Sequence, residues 1–371
     1  MTKVLIVIPW FSPAYKAGGP IQSIRNLVGQ NIDAVHFDIF CSNKDIDGLA
    51  IHDVVTDQWV NFNIHTRVWY SSSQFPFLQL KKIVRDQQID KILIIGLYSY
   101  SFNILPWLFL RNSIKIISVR GMLHPEALKL KSYKKYFFLF FIRLFHYHKK
   151  VDFHATDDVE RNHIFNALGK KMKVSVAGNF INSFPKYNVT PKLSGQLKLI
   201  TIALVSPMKN HLLILKALAY CKADIEFHIV GSIKDKEYWD ECKFVIQQLP
   251  VNIKVLYHGH VHHHDINRYL DGANVMILPS KSENFGHAMI ESLLAGIPII
   301  TSHQTPWNNL QHYQAGLNIN PVIEELVPAI EYFASLNNDS YVKCSNAARK
   351  YAIDAYDERQ LVNQYIKMFN N

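Results

Sequence analysis

The amino-acid sequence predicts an α/β protein made of two parallel-sheet domains, and three observations support this. Short runs of Val, Ile and Leu recur along the 371 residues, separated by segments long enough for helices. Most of these runs are continuous and not alternating, as expected of strands buried on both faces of a parallel sheet. The length is also about twice that of an ordinary domain, which predicts two separate cores.

The predicted strands follow one another in a regular order. The first is Val4–Ile8, an apolar run closed by Pro9. The others are Phe37–Cys41, Lys91–Ile95, Ile114–Val119, Lys173–Ala177, Leu197–Leu204, Glu226–Val230, Ile253–Tyr257, Val275–Leu278 and Ile297–Thr301. Because helix-length segments lie between them, the sequence favours repeated βα units. Two such sheets facing a shared cleft bind ligands at the carboxyl ends of their strands, so the loops after strands are where we expect the chemistry.

The pattern of strands lapses over residues 178–197, which are rich in Asn, Ser, Pro and Gly. This predicts an N-terminal domain over 1–182, a linker over 183–197 and a C-terminal domain over 198–355. From about residue 356 to 371 the chain reads as an amphipathic helix, which we expect to pack back on the first domain. Its apolar residues recur at helical spacing: Tyr356, Leu361, Tyr365, Ile366 and Phe369.

The overall composition is that of a basic globular protein. Lys and Arg outnumber the acids 40 to 30, a net charge of +10 at pH 7, so the surface should attract anions. Nucleic acid, anionic lipid and phosphorylated small molecules all fit that charge. The four cysteines show no paired spacing, no apolar run approaches the roughly 18 residues of a membrane span, and no signal peptide is recognisable. We therefore expect a cytoplasmic protein.

The stretch "PSKSENFGHAMIESLLAGIPIITS" places two acids around a predicted helix start. Glu283 lies in the loop after a strand, Gly286 permits a tight turn, and a helix should run from His287 to about Ala295. Free amides at a helix N-terminus suit a phosphate or a hydroxyl-rich ligand. Glu291 has apolar neighbours, where a carboxylate is costly unless a group such as a sugar hydroxyl binds it. The alternative is a capping acid and a helix-surface acid.

These residues resemble a known family. The stretch "SKSENFGHAMIESLLAGIPIITSHQTPWNNL" resembles the E-x7-E signature of the family-4 retaining glycosyltransferases, which are two-domain GT-B enzymes that use nucleotide sugars. Three other segments match in the order that the family has: "PWFSPAYKAGGPIQSIRNLV", "ISVRGMLHPEAL" and "ALVSPMKNHLLILKAL". The Glu-Asn-Phe-Gly and Thr-Pro-Trp forms are similar to a branch in bacterial surface-polysaccharide assembly. The resemblance implies two Rossmann-like domains, the first for the acceptor and the second for the nucleotide sugar.

The resemblance also implies roles for particular residues. Glu291 would hold the ribose hydroxyls, Glu283 would contact the transferred sugar, and Lys209 would neutralise the diphosphate leaving group. Such roles are physically reasonable, because a fixed cation stabilises a departing phosphate and a carboxylate accepts two hydrogen bonds from a diol. The implied donor-binding set is Gly18, Gly19, Lys209, Asn210, Glu283, Asn284, Phe285, Gly286 and Glu291. The alternatives are a solvated lysine for Lys209 and an ordinary turn for the two glycines.

Two positions depart from the family pattern. The family commonly has an arginine five residues before the phosphate-binding lysine, where this chain has Leu204. Either another basic residue replaces it or the phosphate is held more weakly. Many members also carry a histidine at the end of a strand in the first domain, where this chain has Arg120, with His124 four residues on. The candidate catalytic residues are therefore Glu283, Lys209, Arg120 and His124.

Two further motifs suggest metal binding, and we interpret both as something else. The stretch "HGHVHHHDI", from His258 to Asp265, resembles a zinc tract, but it follows a strand where relatives have a loop near the donor base. Asp45 and Asp47 form a D-x-D in a polar run, which we interpret as a turn. Because GT-B relatives generally need no metal, the resemblance implies no metal and no cofactor other than the donor substrate.

The segment from residue 124 to 154 combines lysines and arginine with a dense aromatic band. A basic, aromatic helix can lie on an anionic bilayer, which would place the protein at the inner face of the cell membrane. The alternative is a long helix packed on the first domain with its lysines in water. The acceptor in this branch is often a polyprenyl-linked sugar, which favours a membrane contact.

The activity that the resemblance implies is retaining transfer of a hexose-type sugar from a nucleotide donor to a saccharide or lipid-linked acceptor. This would serve the synthesis of a surface polysaccharide such as O-antigen, capsule or exopolysaccharide. We expect no nucleic-acid partner. Two alternatives stay open: a nucleotide-sugar epimerase or hydrolase of the same fold, and a non-catalytic basic protein that binds nucleic acid or anionic polysaccharide.

Overall fold

The protein divides into two compact units. Unit 1 comprises Met1–Asn182 and Glu358–Asn371, and unit 2 comprises Ser183–Asp357. The computed structural model describes residues 2–30, 32, 35–110, 114–129, 132–181, 185, 187, 189–261 and 265–370. Each unit contains one sheet with helices around it, so the predicted α/β class is confirmed.

Unit 1 is built on an eight-stranded sheet. Its strands are β1 (Thr2–Val7), β2 (Val35–Ser42), β3 (Trp59–Asn63), β4 (Thr66–Ser71), β5 (Lys91–Ile95), β6 (Ile114–Ser118), β7 (Asp152–Ala155) and β8 (Val174–Val176). Their order in the sheet is β3-β4-β2-β1-β5-β6-β7-β8. All neighbouring strands run parallel except the β3–β4 pair, which is antiparallel.

The helices of unit 1 follow the strands along the chain. They are α1 (Gly19–Gly29), α2 (Pro76–Asp86), α3 (Leu105–Phe109), α4 (Pro125–Lys129), α5 (Ser132–Leu144) and α6 (Asp158–Leu168). A π-helical turn precedes α3 at Tyr100–Ile104, and a 3-10 turn follows α5 at Tyr147–Lys150. Strand β1 is buried from Val4 to Val7, because apolar side chains cover both faces of the sheet.

Unit 2 is built on a six-stranded parallel sheet of order β11-β10-β9-β12-β13-β14. The strands are β9 (Gln196–Ile202), β10 (Asp224–Val230), β11 (Ile253–Gly259), β12 (Val275–Leu278), β13 (Ile299–Ser302) and β14 (Gly316–Ile319). The helices are α7 (His211–Leu218), α8 (Lys236–Ile246), α9 (Ile266–Leu270), α10 (His287–Leu294), α11 (Ile323–Ser335) and α12 (Asn338–Asp354).

The last helix, α13 (Glu358–Asn370), belongs to unit 1. Its buried side chains Tyr365, Met368 and Phe369 lie in the core beside β1 and β2. The ring centroids of Phe369 and Phe37 are 5.9 Å apart. The end of the chain thus completes the core of the unit in which the chain begins.

All the predicted strands are present, with ends that shift by up to two residues. Lys91–Ile95 and Val275–Leu278 have the predicted bounds. Strands β3, β4, β7 and β14 were not predicted. In the part of the chain that the structure describes, no helix combines the length and the apolar character needed to cross a bilayer.

Candidate functional site

The strand order of unit 2 reverses between β9 and β12. These two strands are neighbours, with Ile200 opposite Met276, although their successors in the chain lie on opposite sides of them. Loops that leave adjacent strands in opposite directions open a crevice at the carboxyl end of the sheet, which is where such sheets bind ligands. Lys209 lies in the segment after β9 and Glu283 in the loop after β12, so both predicted residues are at this switch point.

Three contacts join the two loops. The Lys281 amide donates a hydrogen bond to the Met208 carbonyl at 2.9 Å, and Asn210 Nδ2 donates to the Pro279 carbonyl at 3.2 Å. The ammonium group of Lys209 forms an ion pair with the carboxylate of Glu283. The two predicted charges, 74 positions apart in the chain, are therefore in direct contact.

This ion pair lies in a partly enclosed position. The side chains of Lys209 and Glu283 are 20% and 14% exposed, so each remains within reach of a ligand. Water screens such a pair less than it screens a pair on the open surface. Asn210 follows in the left-handed region, with φ 66°, and precedes the first residue of α7. Asn tolerates this conformation better than most residues do. The turn at Asn210 therefore fixes the position of the Lys209 backbone relative to α7.

Helix α10 begins at His287, as predicted, and Gly286 precedes it with φ 74°. A Cβ at Gly286 would lie 3.0 Å from Met289 Sδ and 3.3 Å from Glu283 Cγ, so the turn has both a conformational and a spatial reason to be glycine. The first amides of an α-helix have no partner within the helix and carry its positive dipole end. That end of α10 directly follows the loop that holds Glu283.

Glu291 lies one turn into α10 and is only 7% exposed. The flanking Ile290 is fully buried. Glu291 is therefore not a helix-surface acid, which was the alternative to a binding role. A buried carboxylate needs hydrogen-bond donors in place of those that water would supply.

A third loop, after β13, supports the Glu283 loop. The Glu283 amide donates to the Gln304 carbonyl at 3.2 Å, and Trp307 Nε1 donates to the Phe285 carbonyl at 2.7 Å. The rings of Phe285 and Trp307 meet edge to face at 5.7 Å. Sequence reasoning used Trp307 only as part of a resemblance and missed this contact. The sequence feature that could have indicated this contact is a tryptophan in the loop after the next predicted strand.

The residue next to Asn210 is a fully buried histidine, His211. Neither of its ring nitrogens has a hydrogen-bond partner in the described part of the chain. Burial, helped by the nearby charge of Lys209, lowers the pKa of His211 to about 4. The imidazole is therefore neutral near pH 7, and it adds no positive charge beside Lys209.

Leu204 is half-buried where the family commonly has a second cation. Two exposed lysines are joined to the same segment through their backbones. The Lys234 amide donates to the Val205 carbonyl at 3.1 Å, and the Lys281 amide donates to the Met208 carbonyl. Lys234 and Lys281 are therefore both joined to the segment that carries Lys209.

In unit 1 the glycine loop after β1 is held by an acid that sequence reasoning assigned only to a turn. Asp45 accepts hydrogen bonds from the amides of Tyr15 at 2.9 Å and Lys16 at 3.2 Å. The turn itself is confirmed, because the Gly48 amide donates to the Asp45 carbonyl at 3.0 Å. Gly18 then adopts φ 71°, which favours glycine, and Gly19 begins α1.

Arg120 lies just after β6 and is only 8% exposed. Its backbone has φ 50°, a left-handed conformation that is strained for a residue with a long side chain. Its Nη1 donates to Asn179 Oδ1 at 2.5 Å. The buried carboxylate of Glu160 accepts hydrogen bonds from the amides of Gly121 and Thr156, although burial still raises its pKa. Glu160, which the sequence did not indicate, fixes this turn.

His124 precedes α4 and contacts the ring of His163 edge to face, with centroids 4.9 Å apart. Its Nδ1 accepts a hydrogen bond from the Glu126 amide at 3.2 Å. Burial lowers the pKa of His124, and the neighbouring His163 lowers it further. His124 therefore belongs to a half-buried histidine pair in unit 1.

The histidine tract after β11 is only partly described, because residues 262–264 lie outside the described residues. His258 stacks on His228, with 2.9 Å between His258 Nε2 and His228 Nδ1. His228 Nε2 in turn lies 2.7 Å from a Glu226 carboxylate oxygen. Within the described ranges, no group of three or more His, Cys, Asp or Glu side chains is arranged to hold a metal ion.

Comparison with known proteins finds a family match within unit 2. Residues 186–351 match the family described as glycosyl transferases group 1. This match agrees with the family resemblance seen in the sequence. The match includes the Lys209–Glu283 pair, α10 and Glu291.

Several relatives and solved structures also resemble the chain. It is 23% identical over 118 residues to an uncharacterized 41.2 kDa protein in the cps region of Klebsiella pneumoniae, covering 32% of each chain. It is 29% identical over 126 residues to a 2-deoxystreptamine N-acetyl-D-glucosaminyltransferase of Niallia circulans, covering 34% of this chain and 31% of that protein. The alignments thus span about a third of the length of these relatives.

The structure of Anabaena HepE in complex with UDP and glucose is also similar, with a TM-score of 0.75, 15% identity and coverage of 100% of both chains. At this identity the likeness establishes the fold alone. The fold is GT-B, as the sequence predicted.

Proposed function

We propose that the protein is a retaining, metal-independent glycosyltransferase that moves a hexose-type sugar from a nucleotide-sugar donor. The observation that carries this proposal is the Lys209–Glu283 ion pair at the start of α10, with buried Glu291 one turn further on. The group 1 domain match and the UDP and glucose bound by HepE support it.

Each group has a chemical task in this proposal. The ammonium of Lys209 and the N-terminal amides of α10 oppose the negative charge that develops on the departing diphosphate. The Glu283 carboxylate accepts hydrogen bonds from the hydroxyls of the transferred sugar, and the amides of residues 284–286 donate hydrogen bonds to them. Glu291 accepts hydrogen bonds from the ribose hydroxyls, which offsets the desolvation of its carboxylate. In unit 1, Gly18, Gly19, Arg120 and His124 remain proposed contacts.

For the acceptor, we propose a saccharide or a lipid-linked saccharide in the synthesis of a bacterial surface polysaccharide. The relative from the cps region supports this assignment. We further propose that the protein acts in the cytoplasm at the inner face of the membrane, because a lipid-linked acceptor would be found there. No cofactor takes part in this proposal.

The test is donor binding followed by transfer. In a thermal-shift assay with a panel of UDP-, GDP- and TDP-sugars, the sugars of one nucleotide base should raise the melting temperature. The reason is that a ligand that binds only the folded state stabilises it. Lys209→Ala should cost about 3 kcal/mol of transition-state stabilisation, the size of one preorganised electrostatic contact. Glu291→Ala should weaken donor binding. Lys216→Ala, on the exposed face of α7, is the matched control.

Several outcomes would contradict the proposal. Near-normal transfer by Lys209→Ala would assign the leaving group to another cation, and absence of binding to any nucleotide sugar would remove the donor site. Turnover of donor without an acceptor would indicate a hydrolase or an epimerase. An inverted linkage in the product, measured by proton NMR, would disprove retention, and loss of transfer with a chelator would disprove metal independence.

A further inference from the structure

The outer face of α5 carries a row of exposed aromatic and apolar side chains. They are between 40% and 71% exposed, and they recur at intervals of three and four residues, which places them on one helix face. We define the α5 stripe as Tyr133, Tyr136, Phe137, Phe140, Phe141, Leu144 and Phe145. Single exposed apolar residues are common on soluble proteins, whereas a contiguous patch indicates an interaction site.

The α5 stripe is separate from the face by which α5 packs on unit 1. Leu139 and Ile142 point into the core and are 5% and 2% exposed. Phe138 contacts the ring of Trp107 edge to face at 5.8 Å. A surface helix needs one apolar face to pack on its domain. Helix α5 therefore has a second apolar face that the described residues do not cover.

The charged residues of α5 and of the turn that follows it all have one sign. From residue 132 to 150 the chain contains basic residues and neither Asp nor Glu. Lys134, Arg143, Lys149 and Lys150 are exposed, and no carboxylate of the described residues pairs with them. An apolar face bordered by unpaired cations is complementary to a surface that is apolar inside and anionic outside.

An open cavity of about 890 Å³ lies beside the same helix, bounded by α4, α5 and α6. Tyr136, Phe140 and Leu144 belong to both the α5 stripe and the cavity wall. Most of the remaining wall is apolar, and Lys129 and Arg143 are among its charged members. A cavity of this kind next to an apolar stripe has room for a hydrocarbon chain, which a bilayer can supply and the flat surface of a folded protein cannot.

We propose that the α5 stripe is a docking surface for an anionic lipid bilayer. The aromatic rings would enter the headgroup region, and Lys134, Arg143, Lys149 and Lys150 would face the lipid phosphates. The proposal specifies the residues that make a membrane contact. It does not rest on the proposed transfer activity, since docking requires neither donor nor acceptor.

Sedimentation with vesicles tests the proposal in the full-length protein. Vesicles of phosphatidylcholine containing phosphatidylglycerol should bind the protein about tenfold more tightly than vesicles of phosphatidylcholine alone, and added salt should weaken the binding. The double variant Phe137→Ser with Phe141→Ser should lose about tenfold in binding. Phe244→Ser is the matched control, because Phe244 is an equally exposed phenylalanine on α8.

A charge test separates lipid phosphate from apolar attraction. Lys134→Glu with Lys149→Glu should abolish the preference for phosphatidylglycerol, whereas Lys170→Glu with Lys171→Glu, at exposed lysines after α6, should retain it.

A further variant, Phe137→Trp, keeps an aromatic ring at the stripe. Its additional fluorescence should shift to the blue and be quenched by brominated lipid when vesicles are added.

Three results would overturn the proposal. The first is vesicle binding that the stripe variants and the controls reduce equally. The second is an unshifted, unquenched Phe137→Trp signal with bound vesicles. The third is a lipid-free dimer that Phe137→Ser with Phe141→Ser dissociates, because this would assign the α5 stripe to a second copy of the chain.

Discussion

Two charged side chains of the candidate site, Lys209 and Glu283, bind each other. In the structure Glu283 already neutralises Lys209. A phosphate that bound Lys209 would compete with this carboxylate, and the negative charge of Glu283 would also repel it. The proposed roles of the two residues are therefore coupled, and a change at Glu283 should alter the binding of the nucleotide.

Removing the charge of Glu283 tests that coupling. We expect Glu283→Gln to bind the free nucleoside diphosphate about threefold more tightly, because Lys209 loses its competing partner, while sugar transfer falls. Isothermal titration with the diphosphate and a transfer assay measure the two effects. Glu324→Gln, at an exposed acid of α11, is the control. Weaker diphosphate binding in Glu283→Gln would show that the carboxylate supports the nucleotide directly.

His211 should make stability depend on pH. Its pKa in the folded state, about 4, lies below the ordinary value of 6.5, so the unfolded chain binds the proton more readily. The corresponding stability is present above pH 6.5 and is lost as the pH falls through 4. Between pH 7 and pH 5 the wild type should lose about 2 kcal/mol of unfolding free energy through this group.

Urea unfolding at the two pH values measures this loss. His211→Gln should lack it, whereas His312→Gln, at an exposed histidine, should retain it. An unchanged pH dependence in His211→Gln would mean that the imidazole is already protonated, or solvated, in the folded protein.

At the scale of elements, the segment that carries Lys209 is positioned by a close approach between two strand ends. Gly231 follows β10 with φ 148°, a conformation that side chains rarely adopt. A Cβ there would lie 1.9 Å from the Ala203 carbonyl oxygen, just after β9. The backbone after β9 can take its path toward Lys209 only because position 231 has no side chain.

Gly231→Ala should therefore destabilise unit 2 by about 3 kcal/mol or more, since the obstructing atom belongs to the backbone and cannot rotate away. Gly272→Ala is the matched control, because a Cβ at Gly272 would meet nothing within 4 Å. Denaturant unfolding monitored by circular dichroism measures both. Equal stability of the two variants would show that the strand ends separate at little cost.

At the scale of the whole molecule, each unit has its own sheet and core, but unit 1 takes one helix from the far end of the chain. Phe369 of α13 is fully buried, with Phe37 at 5.9 Å. Phe333 of α11 has the corresponding position in the core of unit 2, where it is 1% exposed. The stability of the N-terminal strands thus depends on a residue close to the C-terminus.

Phe369→Ala should cost about 3 to 5 kcal/mol of unfolding free energy through the cavity that it leaves. Hydrogen exchange should report the loss in β1 and β2, while Phe333→Ala should report it in β9 and β10. Phe244→Ala, at an exposed position, should change neither. Faster exchange in both sheets after either core substitution would show that the two units unfold together.

The strands that sequence reasoning missed share a physical cause. Strand β7 reads "DFHA", and its His154 is buried only because Ser118 Oγ and the Ala177 carbonyl each lie 2.8 Å from its ring nitrogens. Strand β3 lies at the sheet edge and is partly exposed, β4 is its inner neighbour, and both mix polar with apolar residues. Local hydrophobicity does not reveal a strand whose polar groups are satisfied by distant partners.

The sequence by itself determined the α/β class, the strands made of continuous apolar runs, and the start of α10 just after Gly286, because each depends on residues that are neighbours in the chain. The tertiary structure decided that β9 lies beside β12, that Lys209 pairs with Glu283 and that Trp307 holds the loop of Glu283. In unit 1 it decided that Glu160 holds the turn at Gly121. These contacts join residues between 22 and 76 positions apart. These long-range contacts depend on the order in which the strands pair in the sheet, and no local sequence pattern encodes that order.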